Sequence, residues 1–303
     1  MSIKLPNRRG LSFDRLRALL ELAEAGSLAR AAEGDPVRQS QYSRQINELE
    51  NYFEVELTQR KGNRLTLTEA GDRLVRIARE TFLGLNEFES TARNLPAVVN
   101  LGGGASLLQW VVLPRLARVQ GQLPQTQFHL LNLRTKDIIQ GLGELSLDVG
   151  LVRESAVGAP LKSQRLFKQT YSLFVPRALL PKTKAFDHRH LLESLPLAVQ
   201  ASGGQFDQTV EETIRKEKLR CRIALTCSSH TDACHAVLSG GYASILPSFA
   251  SADLVRERFV EVPLPLLKSY ERIVCLAWNP RMLRLRPALE KVVAQLGKML
   301  ARG

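Results

Sequence analysis

Between positions 39 and 44, Gln39, Ser40, Gln41, Ser43 and Arg44 offer the paired donors and acceptors that can read the edges of DNA bases. At the start of a helix such side chains would enter a major groove; a solvated polar helix face is the alternative reading. In the groove reading, Ser27 and Arg30 would sit against phosphate, and Arg60, Lys61 and Arg64 would reach the backbone or the minor groove. A second group, Gly102-Gly103-Gly104-Ala105-Ser106, follows a strand pattern and precedes a helical one, so its backbone N–H groups could cradle an anion. It lacks the Gly-Lys-Ser/Thr ending of a P-loop and the spacing of a dinucleotide fingerprint, and a tight turn that needs glycine remains the alternative. The densest set of metal or redox ligands is Cys221, Cys227, His230, Cys234 and His235. Cys227-x2-His230-x3-Cys234 has workable metal spacing but not the two clean pairs of a zinc signature. Ordinary buried thiols and no metal site are expected there. Asp148, beside Val149 at a strand, reads as a structural carboxylate. There is no nucleophile elbow, no His-Glu-x-x-His and no paired-carboxylate motif, so no catalytic residue is assigned and an enzyme is disfavoured.

The elements that must position these residues are legible. Phe13, Leu16, Leu19, Leu20 and Ala23 recur at helical spacing, Gly26-Ser27 stops that helix, and Ser27 caps a short helix from Leu28 to Glu33. Gly34-Asp35-Pro36 breaks the chain, and a further helix is expected from about Gln39, with Tyr42, Ile46, Leu49 and Phe53 on one side. That is a helix-turn-helix, and the basic turn 60–64 between Leu57 and Leu65-Thr66-Leu67 predicts a small hairpin, or wing. Thr68 then caps a long helical stretch free of proline until Pro96. Leu74, Ile77, Thr81, Leu85, Phe88 and Ala92 form a stripe on it that one helix cannot hide, so a partner helix from a second subunit is expected. From about residue 97, strands alternate with helices. The run from about 170 to 268 has its own strand-helix units, and the chain returns near Glu271 to complete the first. Two α/β lobes with a cleft between them follow, and strand ends place Arg134, Thr135, Gln200, Ala201, Ser202, Thr226, Cys227 and Ser228 around that cleft.

The chain has 303 residues, 44% hydrophobic and 24% charged, which suits about two globular domains. No apolar run reaches the ~18–20 residues of a membrane span, and Met1 to Gly10 is polar and basic, without the apolar run of a secretory leader. Four unevenly spaced cysteines form no disulfide framework. A cytoplasmic protein with no membrane partner is expected. The formal charge of +12 lies mostly in the second part: residues 1–95 carry 15 basic against 14 acidic groups, residues 96–303 carry 27 against 16. Net charge therefore does not make the first part a DNA binder; its motifs must. In the second part the excess favours an anionic ligand.

Those motifs form a series. Ala23-Glu24-Ala25-Gly26-Ser27, Arg30-Ala31-Ala32-Glu33, Ser43-Arg44-Gln45-Ile46 with Leu49-Glu50, and Leu67-Thr68-Glu69-Ala70-Gly71 resemble, in order and spacing, the LysR-type transcriptional regulators. With the length and the α/β remainder, the resemblance spans essentially the whole chain. It implies an α/β protein overall: an all-α winged helix-turn-helix over 1–67, a linker and dimerisation helix over 68–95, and a two-lobed, periplasmic-binding-protein-like effector domain over 96–303. It implies no enzyme and no cofactor, but a sequence-specific regulator on double-stranded promoter DNA, modulated by a small-molecule effector of unknown identity. It further implies a homodimer or homotetramer, with RNA polymerase as a candidate partner. In the family the turn holding Ala105 and Ser106 lines the effector cleft, and Gly240-Gly241-Tyr242 looks like the family's glycine-rich loop before a strand. The chain departs from the family where Gly34-Asp35-Pro36 replaces a leucine-containing segment. It departs again where Gln39-Ser40-Gln41-Tyr42-Ser43 replaces Gln-Pro-Ala-Leu-Ser. A solute-receptor-like binding module is the competing class, and the missing leader counts against it.

Overall fold

The computed structural model describes residues 10–61, 64–181, 187–201 and 203–301, and separates into two compact units, 1–95 and 96–303. The first unit holds α1 (Phe13–Ala25), α2 (Leu28–Ala31), α3 (Pro36–Phe53), the antiparallel hairpin β1 (Thr58–Lys61) and β2 (Arg64–Leu67), and α4 (Glu69–Ala92). Leu16, Leu19, Leu22, Ile46, Leu49, Leu57, Val75 and Ala78 form its core.

Helix α3 starts three residues earlier than its sequence suggests. Gly34 (φ 81°) supplies the left-handed turn, Asp35 Oδ1 accepts from Val37 N at 2.8 Å and Arg38 N at 3.4 Å, and Pro36 takes the first helical position. Asp-Pro here starts a helix instead of breaking one, because proline has no N–H to lose in a first turn. α3 is tied to the hairpin by Glu50, whose Oε1 accepts from Leu57 N (2.9 Å), Thr58 N (2.9 Å) and Thr58 Oγ1 (3.0 Å). At Gly71 the start of α4 passes so close to the hairpin that a Cβ would stand 2.1 Å from the Leu57 carbonyl oxygen. No larger residue fits there.

α4 turns Val75, Ala78 and the buried Arg79 inward, with Arg79 on Glu24 at 3.1 Å. Leu74 also packs against the core, so it does not belong wholly to the free stripe expected from the sequence. Ile77, Leu85 and Phe88 remain exposed, at 58, 45 and 73%.

The second unit begins with β3 (Ala97–Gly103), α5 (Ala105–Leu107), a π-helical stretch (Leu108–Val112), α6 (Leu113–Gln122), β4 (Thr126–Asn132), α7 (Thr135–Gly143), β5 (Val149–Arg153) and β6 (Lys162–Gln169). Then follow β7 (Tyr171–Pro176), α8 (His188–Ser194), β8 (Pro196–Gln200), α9 (Gln205–Lys216), β9 (Arg222–Cys227), α10 (His230–Leu238), β10 (Ser244–Pro247) and β11 (Phe259–Pro263). The chain ends with β12 (Arg272–Trp278), α11 (Pro280–Leu285) and α12 (Ala288–Leu300). One sheet has the order β4-β3-β5-β12-β6, with β12 antiparallel to both neighbours. The other lobe holds β10-β7-β11 and the parallel pair β8-β9, linked by a bridge from Leu197 to Ala243. Right-handed βα units leave their strand ends and helix starts at one edge, where a ligand can be bound.

Two residues join distant parts of this unit. Trp110, on the π-helical stretch, is buried among Phe174, Ala198, Leu246 and Phe259 of the second lobe, and its Nε1 donates to Asp253 at 2.6 Å. Asp148 accepts from Asn100 N at 2.7 Å and from Arg286 at 2.6 Å, holding the returning C-terminal segment to β3.

Candidate functional site

In the first unit a concavity of about 500 Å³ gathers Ser27, Gln39, Ser43, Asn47, Thr58 and Arg60 from α2, α3 and the hairpin. On α3 the spacing sorts the side chains into two adjacent strips. Gln39, Ser43 and Asn47 face this concavity, while Val37, Ser40, Gln41 and Arg44 line a neighbouring depression. Val37 and Asn47 did not stand out from the sequence; they became visible only once the helix start and phase were known. Ser27 Oγ accepts from Arg30 N at 3.3 Å and so caps α2. Arg30 is exposed, and Arg44, 76% exposed, keeps a long contact of 3.8 Å with Glu48. Lys61 and Arg64 face each other across the hairpin register, and their side chains lie outside the described residues. Tyr42, expected in the core, is half-buried because its hydroxyl donates to Glu21 while Arg38 donates to it at 3.1 Å.

In the second unit a cavity of about 650 Å³ opens where the two lobes meet. Ala105, Ser106, Arg134 and Thr135 line it from the first lobe, at the ends of β3 and β4. Gln200, Phe206, Ser228 and His230 line it from the second, and Arg153, Tyr270 and Arg272 stand at the crossover strands. Four expected residues do not contribute to this lining. Ala201 is exposed beside Gln200, its N–H bound to the Cys227 carbonyl at 2.9 Å. Cys227 turns inward and packs with Ala198, Ala233 and Cys234. Thr226 is exposed, as are the four residues before it on β9. Gly241 follows the far end of α10, about 13 Å along a nine-residue helix from the end that meets the cavity. Ser202 lies outside the described residues.

The rings behind the cavity are locked. Phe206 stacks on Tyr171 at 4.6 Å, His230 meets Phe206 edge-on at 4.7 Å, and the Arg272 guanidinium lies 4.0 Å over the Tyr270 ring. Burial pushes His230 down to about 4, with nearby Asp207 opposing the shift, so the ring is uncharged at neutral pH. The unfolded chain takes up that proton near pH 6.5. From pH 6.5 to about 4 the unfolded state therefore binds more protons, and stability should fall on acidification by up to about 1.4 kcal/mol per pH unit. Urea midpoints at pH 7, 6 and 5 should show this slope, and His230→Phe should flatten it. An equal slope in both proteins would assign it to other groups.

Cys227, Cys234 and Cys275 are buried, Cys221 is half-buried, and burial pushes all four thiols up, Cys234 to about 12. The thiolate is the reactive form, so these are poor redox centres. Among the described residues no group of three or more His, Cys, Asp or Glu could hold a metal ion, and no helix is long and apolar enough to cross a membrane.

Residues 13–72 match the family described as bacterial regulatory helix-turn-helix protein, lysR family, and residues 93–301 match the LysR substrate binding domain. The HTH-type transcriptional regulator YybE of Bacillus subtilis (strain 168) is 22% identical over 272 residues, 88% of this chain and 92% of that one. MetR of Haemophilus influenzae, another HTH-type transcriptional regulator, is 44% identical over 70 residues, 23% of each chain. Among solved structures, a full-length OxyR variant from Pseudomonas aeruginosa covers 95% of both chains with a TM-score of 0.64 at 22% identity. Full-length CbnR in complex with its target DNA covers 94% of this chain and all of that one, with a TM-score of 0.56 at 20% identity. With both domains matched along the chain, the protein belongs to the LysR family: it is a transcriptional regulator, not an enzyme, with a DNA-binding helix-turn-helix domain and an effector-binding domain.

Proposed function

We propose that the protein acts in the cytoplasm on promoter DNA as a homodimer or a dimer of dimers. Here α3 lies in the major groove, and the cavity of the second unit receives the effector. One observation carries the DNA reading: a single concave face gathers Ser27, Gln39, Ser43 and Arg60 from three separate elements. In this reading Gln39, Ser40, Gln41, Ser43 and Arg44 read base edges, with Val37 as an apolar contact for a thymine methyl. Ser27, Arg30, Arg60, Lys61 and Arg64 hold phosphate or enter the minor groove. Ser106, Arg134 and Thr135 engage the effector from the first lobe. The exposed stripe Ile77, Leu85 and Phe88 supports the dimer.

Gln39→Ala or Arg44→Ala should cost about 1–3 kcal/mol at the cognate site and relax base preference. Gel shifts on operator and on random duplex separate the two roles. Equal losses on both would make these residues phosphate anchors only.

A further inference from the structure

We infer that the cavity between the lobes takes an aromatic carboxylate, its acid group held by arginine and its ring laid against Phe206 and Tyr270. The inference rests on the reading of that cavity as the effector site and gives the effector a chemical class.

The charge of the lining has one sign. Arg134, Lys136, Arg153 and Arg272 line the cavity, and among the described residues no Asp or Glu does. Clustered cations along the wall of one cavity favour an anionic ligand. The nearest buried carboxylate, Asp207, stands outside the lining, and its Oδ2 accepts from Gly204 N at 3.1 Å.

Two polar atoms at the cavity are sealed from solvent without a hydrogen-bond partner: Nε of Arg272 and Nδ1 of His230. A sealed polar atom without a partner is costly, so a pair of them beside one cavity marks where a bound group would complete the set. Arg272 offers a donor that suits a carboxylate. His230, uncharged, offers a ring nitrogen that suits a neutral polar substituent or the second carboxylate oxygen.

The remaining wall is aromatic and already ordered. Phe206 is held between Tyr171 and His230, and Tyr270 is held under the Arg272 guanidinium. Rings fixed before binding lose little freedom when a flat apolar ligand stacks on them. An aliphatic diacid would use the cations and leave this wall unfilled. A neutral arene would do the reverse. A ligand that satisfies both is an acid on a ring, and about 650 Å³ accommodates one or two rings.

The test is calorimetric titration of the full-length protein with benzoate, 4-hydroxybenzoate and 2-naphthoate. Benzamide, succinate and inorganic phosphate serve as comparators. At least one aromatic acid should bind, with every comparator weaker by about tenfold or more. Arg272→Gln, Phe206→Ala and, as a milder change at the rim, Arg153→Gln should each weaken that acid by about tenfold, with thermal unfolding confirming the fold. If no aromatic acid binds at millimolar concentration, the inference fails. If benzamide or succinate binds as tightly as the aromatic acids, and the variants weaken it, the ligand class is wrong while the cavity stands as the effector site. If an aromatic acid binds equally to all three variants, it sits elsewhere, and the reading of the cavity fails with the inference.

Discussion

Replacing Ile77 and Phe88 together with aspartate should convert the protein to monomers and lower operator affinity by about 100-fold or more. Both side chains are exposed on α4, at 58 and 73%, and with Leu85 they form one strip of the helix. Across a two-fold seam each aspartate would face apolar side chains and its own symmetry mate, so charge would be buried without a partner. Paired half-sites require paired reading heads, so losing the seam removes the second head and its effective concentration. The opposite face of α4, with Val75, Ala78 and Arg79, is untouched, so the first unit should keep its fold. Light scattering and gel shifts on the same samples report both effects. An unchanged mass would move the seam off α4. Leu74 is a poorer probe than its place in the apolar repeat suggests, because it also packs into the helix-turn-helix core.

Asp148→Ala should destabilise the second unit by about 3–5 kcal/mol. The carboxylate is 2% exposed and holds two unlike groups, the Asn100 amide at 2.7 Å and the Arg286 guanidinium at 2.6 Å. Arg286 in turn donates to the Val98 carbonyl at 2.7 Å. Removing the carboxylate strips a largely buried guanidinium of its charge partner and a strand amide of its acceptor, which is dearer than losing a surface pair. Asp148→Asn keeps an acceptor but not the charge, and should fall between the two. Urea unfolding of the full chain should shift only the transition of the second unit, with its slope unchanged. A loss below about 1 kcal/mol would mean that solvent already screens the pair.

How much of this could be read from the chain depended on what each residue answers to. The strands β3, β5, β7 and β12 bury most of their residues and show as apolar runs. β6, Lys162–Gln169, was not legible: it lies at the sheet edge and exposes Lys162, Ser163, Gln164 and Arg165, so its composition is that of a loop. β11, also an edge strand, alternates Val260, Glu261 and Val262 over only five residues and escapes for the same reason. The early start of α3 is hidden because Gly-Asp-Pro has the composition of a break, whereas the Asp35 cap and Pro36 at the first position make it an initiator.

The cavity was half legible. Ser106, Arg134, Thr135, Gln200 and Ser228 stand at or just past strand ends and obey the rule for open sheets, and Arg153 at the end of β5 obeys it too. Phe206, Tyr270 and Arg272 come from a helix start and from the segment re-entering the first sheet, and no local pattern brings them together. His230 stood out as a metal ligand by its spacing to Cys227 and Cys234, whereas the fold sends both thiols into the core and the imidazole toward the cavity. Sequence spacing fixes distance along an element, and only tertiary packing decides which side of it is buried.

The π-helical stretch sets a constraint of phase. Leu113 N bonds back to the Leu108 carbonyl, five residues away, so the helix from Ala105 to Gln122 contains one residue more than an α-helix of the same rise would use. At 3.6 residues per turn, one residue is a rotation of about 100°. Upstream of the stretch, Ser106 faces the cavity, while downstream Val119 is fully buried where α6 packs on α12. The extra residue sets the phase between these two ends. Because helical positions come in whole residues, relaxing this stretch to α geometry cannot be a gradual bend. It would come as one step of about 100°, in which one end of the helix leaves its seat.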